Sequence, residues 1–215
     1  MAERLVHKVQ VPALPIPKAG PLKEYLDALN NILRLFFNLL SSGINSVFGE
    51  YGGRFIESPN AKFFSTVDQN ASVINTAYAL QFENTYLGEA ISVTGSPKTR
   101  ITPTHSGVYN FELSVELTSS SASAKEVSFW VRRSGVDIAN TGRLHVVSGA
   151  GGVDDFGYSF TIDIQAGQYI ELMWATDDTN ITVDYQAAAS PRPAVPSTLV
   201  TVTFVSALPE TLPTP

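Results

Sequence analysis

The chain has 215 residues, 16% of them charged, a formal net charge of −6 and no cysteine. That length supplies one ordinary domain plus an appendage. The missing cysteines exclude a disulfide framework, a thiolate metal site and a cysteine nucleophile. An acidic chain without a Lys/Arg cluster presents no electrostatic surface for nucleic acid.

Residues 1–20 are expected to form an extended arm. Val9, Val11, Leu14 and Ile16 make it apolar, while Pro12, Pro15 and Pro17 remove backbone donors and disfavour helix. A segment that is apolar but cannot build its own core gains by docking on another surface, so these four side chains are the candidate docking residues. The alternative for such a stretch is a loose tail. The start of the chain lacks a basic-then-apolar leader with a small-residue cleavage site, so synthesis in the cytoplasm is expected.

Residues 21–48 predict a helix, opened by Pro21 with Glu24 close behind. Leu22, Leu26, Leu29, Leu33, Phe36 and Leu40 recur at spacings that alternate between four and three, which is a heptad seam. They are the candidate oligomerisation residues. Tyr25, Ile32, Phe37, Leu39 and Ile44 widen the stripe beyond what a dimer needs and suit a trimer, or a helix packed on a further surface. The bland alternative is an amphipathic helix folded onto its own domain. The apolar run at residues 33–40 is too short to span a bilayer and is broken by Arg34 and Asn38, so no membrane insertion is expected.

Gly49, Gly52 and Gly53 mark residues 49–60 as a joint and a domain boundary. From Ala61 the pattern turns to strands, and residues 61–208 are expected to form a β-head, with a loose Pro-rich tail at 209–215. Phe63-Phe64, residues 78–82 and residues 91–93 are short strand candidates, split by polar turns such as residues 68–71. Residues 107–117 alternate cleanly: Tyr109, Phe111, Leu113, Val115 and Leu117 share one face and form the candidate head core, while Asn110, Glu112, Ser114 and Glu116 share a wet face. Residues 119–124 and 149–155 are polar loops, and residues 187–196 an exposed crossing. Many short strands without a helical pattern imply a sandwich or barrel.

Chemistry-bearing constellations are sparse. His7, His105 and His145 lie in no metal motif. Asp154-Asp155 and Asp177-Asp178 with Asn180 are hard-oxygen groups that could hold calcium, but they sit in separate loops and lack EF-hand spacing, so solvated turns are expected. No carboxylate pair, nucleophile elbow or phosphate loop stands out. Neither an enzyme nor a cofactor is expected. Trp130 and Arg132 share a strand face and Arg133 the other, which suits a subunit contact or an exposed strand.

The strand opened by Gly107-Val108-Tyr109-Asn110-Phe111 resembles the central strand of the C1q/TNF-like jelly roll. Around it, Phe129-Trp130-Val131-Arg132-Arg133 followed by Ser134-Gly135, the strand–turn–strand of residues 160–172 and the last strand at 198–204 are similar to that family; Gly167-Gln168 departs from its usual Gly-Asp turn. The helix followed by Gly52-Gly53-Arg54-Phe55 also resembles, more loosely, the start of small virion proteins of short-tailed bacteriophages. These resemblances imply a mainly β chain: a C1q/TNF-like jelly-roll β-sandwich with an N-terminal arm and α-helix, trimeric. They further imply a bacteriophage structural protein at the virion surface, either a tail fibre or adaptor or a capsid fibre or decoration. It would be anchored by its N-terminus to other virion proteins, with an outward head for host attachment, for instance to a host surface glycan, or for particle stabilisation. The alternatives are a glycan-binding or glycan-degrading tail protein and a soluble C1q/TNF-like ligand.

Overall fold

The computed structural model describes residues 22–48 and 58–208. The arm with Val9, Val11, Leu14 and Ile16, most of the glycine joint and the C-terminal tail lie outside the described residues. The chain divides into two compact units, Met1–Glu57 and Ser58–Pro215. In the first, α1 (Leu22–Phe48) runs for 27 residues, with Glu24 in its first turn, where a carboxylate complements the positive end of the helix dipole.

The second unit is built from short strands in chain order: β1 (Asn60–Ser65), β2 (Gln69–Asn70), β3 (Tyr78–Ala79), β4 (Asn84–Glu89), β5 (Ile91–Thr94), β6 (Arg100–Pro103), β7 (Gly107–Ser119), β8 (Lys125–Arg133), β9 (Val136–Asp137), β10 (Arg143–Val147), β11 (Val153–Ile164), β12 (Ile170–Thr176), β13 (Ile181–Val183) and β14 (Thr198–Ser206). One sheet runs β4-β1-β14-β7-β11, with β13 beside the far end of β7 and β2 beyond it. The other runs β5-β6-β12-β8-β10, with β3 on β12 and β9 on β8. Every pairing is antiparallel. The chain changes sheet between β2 and β3, β3 and β4, β4 and β5, β6 and β7, β7 and β8, β10 and β11, β11 and β12, and β12 and β13. These crossings wind it into a jelly-roll β-sandwich.

The core lies between the two sheets. Tyr109, Phe111, Leu113, Val115 and Leu117 are all buried on β7. They meet Phe129, Val131, Leu172 and Trp174 of the opposite sheet in one cluster. Phe129 of β8 stacks on Phe156 of β11 at 4.2 Å between centroids, which ties the sheets together near one edge. The Gly-x-Tyr-x-Phe opening has a steric cause. A Cβ at Gly107 would lie 2.5 Å from the Phe204 ring, which also packs edge-on against Tyr109 at 5.6 Å. The Tyr109 hydroxyl donates to the His105 carbonyl at 2.7 Å. Ser134 and Gly135, at φ 46° and 86°, form the two-residue turn that the β8–β9 hairpin requires.

Three local expectations change. The wet face of β7 is wet only at Glu112, because β14 and β11 flank the strand and half-bury Asn110, Ser114 and Glu116. Gln69-Asn70, expected as a turn, pairs with Val183 and Thr182. The strand expected at residues 78–82 shortens to Tyr78–Ala79, since the backbone beyond it changes partner at each step: Leu80 N–H donates to Leu172 and Phe82 N–H to Lys98. Between them the Gln69 side chain serves as a substitute strand. Its Oε1 accepts from the Gln81 N–H at 2.9 Å and its Nε2 donates to the Gln81 carbonyl at 3.2 Å.

Gln69 is 5% exposed, so removing its amide leaves the half-buried Gln81 N–H and carbonyl without their partner. Gln69→Leu is expected to lower unfolding free energy by about 1–3 kcal/mol, read as a reduced denaturant midpoint at unchanged slope. Unchanged stability would deny the side chain this strand-like role.

Candidate functional site

Two surfaces stand out for contact with other molecules. On α1, at 100° per residue, the apolar side chains from Leu35 round to Phe37 occupy more than half of the circumference. Of the heptad positions, Leu29, Phe36 and Leu40 are half-buried, while Leu22, Leu26 and Leu33 are 72%, 45% and 37% exposed in the single chain. Leu35, Phe37, Leu39 and Ile44 are exposed as well. The polar remainder includes Glu24, Asp27, Asn30, Asn31, Arg34, Asn38, Ser41 and Ser42. No helix among the described residues is long and apolar enough to cross a membrane.

On the head, the outer face of the β4-β1-β14-β7-β11 sheet is uneven. Its β7–β11 half carries short polar side chains in register: Asn110 opposite Thr161, Glu112 opposite Ser159, Ser114 opposite Gly157. Its β4–β1–β14 half carries an apolar groove of Phe64, Leu199, Tyr86, Tyr185 and, from the long crossing, Pro196. Lys62 Nζ sits 5.5 Å from the centre of the Tyr86 ring. Sequence periodicity missed this groove because Tyr86 and Leu87 lie side by side on an edge strand, where a register shift between Lys62 and Phe63 disrupts the alternation.

The Trp130 face is a closed polar unit. Asp137 accepts from the Trp130 indole N–H at 2.8 Å and from Arg132 Nε at 2.7 Å. The hydrogen bond from Arg132, followed by that from Trp130, holds the Asp137 carboxyl below its ordinary range. Arg133, on the other face, reaches Asp163 through both terminal nitrogens. His105 is exposed in the turn before β7, and His145 packs against Phe156 at 5.5 Å. His7 lies outside the described residues.

The acids expected in loops serve the fold, and Asp154 and Asp155 lie on β11, paired with β7, where residues 149–155 were expected to be a loop. Asp178 Oδ1 accepts from the N–H and the side-chain amide of Asn180, and its Oδ2 from Ser121 and Lys125. Asp177 takes the Glu126 N–H, Asp154 the Ser148 N–H, and Asp155 the Ser114 hydroxyl. Ser121 is buried beside Asp178, and Ser119 is buried as the last residue of β7, in a stretch expected to be a polar loop. Among the described residues no group of three or more His, Cys, Asp or Glu side chains could hold a metal ion. Glu116 is pushed above its ordinary range by burial first and then by the Asp155 and Asp184 carboxylates, against which Arg192 acts.

No protein-family model and no curated protein matches the sequence. Among solved structures, the chain is similar to the crystal structure of murine APRIL at pH 8.5, with 9% identity over 69% of this chain and 100% of that one, at a TM-score of 0.45. The strand order itself assigns the fold.

Asp178 makes a pH prediction. Its pKa falls from 3.8 to about 2, first through the Asn180 N–H and then through Ser121 and Lys125. A carboxyl depressed on folding contributes stability that is fully present above the unfolded value and is lost as pH falls through the folded one. Asp178→Asn should therefore lower the urea midpoint above pH 3.8, and the gap to the parent should close between pH 3.8 and about 2. A gap that persisted at the acid end would place the effect elsewhere than in the carboxylate.

Proposed function

We propose that the chain is a structural, non-catalytic protein of a bacteriophage particle surface: a homotrimer held by α1, attached to other virion proteins through its N-terminal segment, with the jelly-roll head making the outward contact. The observation that carries this reading is the apolar surface of α1. A helix apolar over more than half of its girth is stable in water only when other surfaces cover it. Each 100 Å² of apolar area left in water is unfavourable by about 2.5 kcal/mol. The four-three spacing of Leu22, Leu26, Leu29, Leu33, Phe36 and Leu40 matches coverage by copies of the same helix, and the flank at Ile32, Phe37 and Leu39 leaves apolar surface for a third strand or a particle protein. The resemblance of the helix-to-glycine passage to short-tailed phage proteins supplies the setting: synthesis in the host cytoplasm and residence on the virion.

A soluble C1q/TNF-like ligand is the second reading, and the jelly roll favours it. It leaves the apolar helix and the apolar arm without a task. Recovery of the protein from particle-free medium, and its absence from purified particles by mass spectrometry, would select it.

Light scattering of the full chain over a range of concentrations should return three times the chain mass of 23.2 kDa. Leu33→Asp, which would bury an unpaired charge mid-seam at a cost of several kcal/mol, should return a single chain mass with the head's β circular dichroism retained. A parent chain that is monomeric at micromolar concentration overturns the assembly, and loss of the β signal in the variant overturns the division of labour.

A further inference from the structure

The groove on the outer face of the β4-β1-β14-β7-β11 sheet holds about 210 Å³ between Phe64, Tyr86, Tyr185, Pro196 and Leu199. Its aromatic surface is open to water: Tyr86 is 77% exposed and Leu87 beside it 49%. Contiguous apolar surface of this kind marks a contact site. Lys62 holds its ammonium 5.5 Å from the centre of the Tyr86 ring, and no carboxylate pairs with it among the described residues. The groove therefore offers tyrosine and phenylalanine rings with one cation beside them. It lies on the face of a sheet whose backbone is already paired, so an added strand finds no ladder there. An aromatic-lined groove on such a face suits a proline-rich segment, which is extended beforehand and loses little entropy on docking.

The chain carries such a segment next to the groove. Residues 209–215 read Pro-Glu-Thr-Leu-Pro-Thr-Pro and follow directly on β14, the strand that supplies Leu199. Leu208 is half-buried, so the chain is still on the head where the described residues end. Along β1 and β14, Asn60 stands opposite Thr203, Lys62 opposite Thr201 and Phe64 opposite Leu199. A chain that reverses after Ser206 meets Lys62 first and the aromatic groove second. The segment has the same order, with its one acid at Glu210 and then Leu212, Pro213 and Pro215. Its length also fits. The strand from Leu199 to Ser206 covers about 23 Å at roughly 3.3 Å per residue. Residues 209–215 cover about 22 Å in a polyproline conformation at roughly 3.1 Å each.

We propose that the groove is the docking site of the chain's own residues 209–215, laid back along β14 with Glu210 on Lys62 and with Leu212, Pro213 and Pro215 against Tyr86, Tyr185 and Phe64. The contact closes the apolar groove within one head, so it stands whether or not the chain forms a trimer.

The test uses the full chain, which has no cysteine of its own. Thr66→Cys, in the groove wall, is combined with Thr214→Cys, and the pair is oxidised under mild conditions. A disulfide needs the two Cα atoms within about 7 Å, so it reports docking directly. It should form at least tenfold faster than in a control that combines Thr214→Cys with Leu144→Cys, on the edge of the other sheet. On a non-reducing denaturing gel the product should run at the single chain mass of 23.2 kDa. Lys62→Glu or Glu210→Lys should slow the reaction about threefold, and the two together should restore it, since an exposed ion pair contributes up to about 1 kcal/mol. In an independent measurement, a chain that stops after Leu208 should be nitrated at Tyr86 about threefold faster than the parent, with Tyr169 unchanged. Oxidation no faster than in the control, or Tyr86 nitration equal in both chains, overturns the proposal. Products at multiples of the chain mass give the groove to a neighbouring copy and overturn it as well. A double swap that stays slow overturns the pairing of Glu210 with Lys62.

Discussion

The head depends on the burial of one face of β7. Tyr109, Phe111, Leu113, Val115 and Leu117 enter the core from a single strand, and each such side chain contributes about 1.5–3 kcal/mol when removed from water. That face fixes register, because a slip of one residue would bring Glu112 and Glu116 into the core. Register then fixes neighbours: β14 and β11 pair along nearly the whole strand, and β13 takes the end that β14 leaves free. With the first sheet set, Phe156 on β11 meets Phe129 on β8 and the second sheet has its place. Even the glycine at the start of β7 follows from this packing, since Phe204 occupies the space that a side chain at Gly107 would take.

What the sequence showed plainly was whatever one strand decides alone. The alternation of residues 107–117 marked the core strand, and Ser134-Gly135 marked a hairpin whose positive φ angles the structure contains. Partner-dependent features were illegible. Gln69 looked like turn chemistry, and only the position of Gln81, twelve residues on, turns its amide into a strand substitute. Ser119 and Ser121 looked like solvent-facing loop, but Ser119 ends β7 opposite Ile181 and Ser121 donates to a carboxylate at Asp178.

The two units solve different problems. The head closes a core within a single chain, although it leaves a groove at Phe64 and Leu199 and exposes apolar side chains such as Val136, Leu144 and Val146. The helix does the reverse. Its apolar residues cover more than half of its circumference and stay largely exposed in the single chain, so its stability is a matter of what covers it. The proposed attachment role is compatible with that division: one unit closes its core within the chain, and the helix leaves apolar surface to be covered.

The central claim is that the helix is held by other copies and the head by itself. Thermal unfolding of the full chain, followed at several concentrations by helical circular dichroism and by the fluorescence of Trp174 in a Trp130→Phe background, tests this directly. The account predicts that the helical transition rises in temperature with concentration and that the Trp174 transition is separate from it and does not shift. A single transition at one temperature for both probes, independent of concentration, would contradict it.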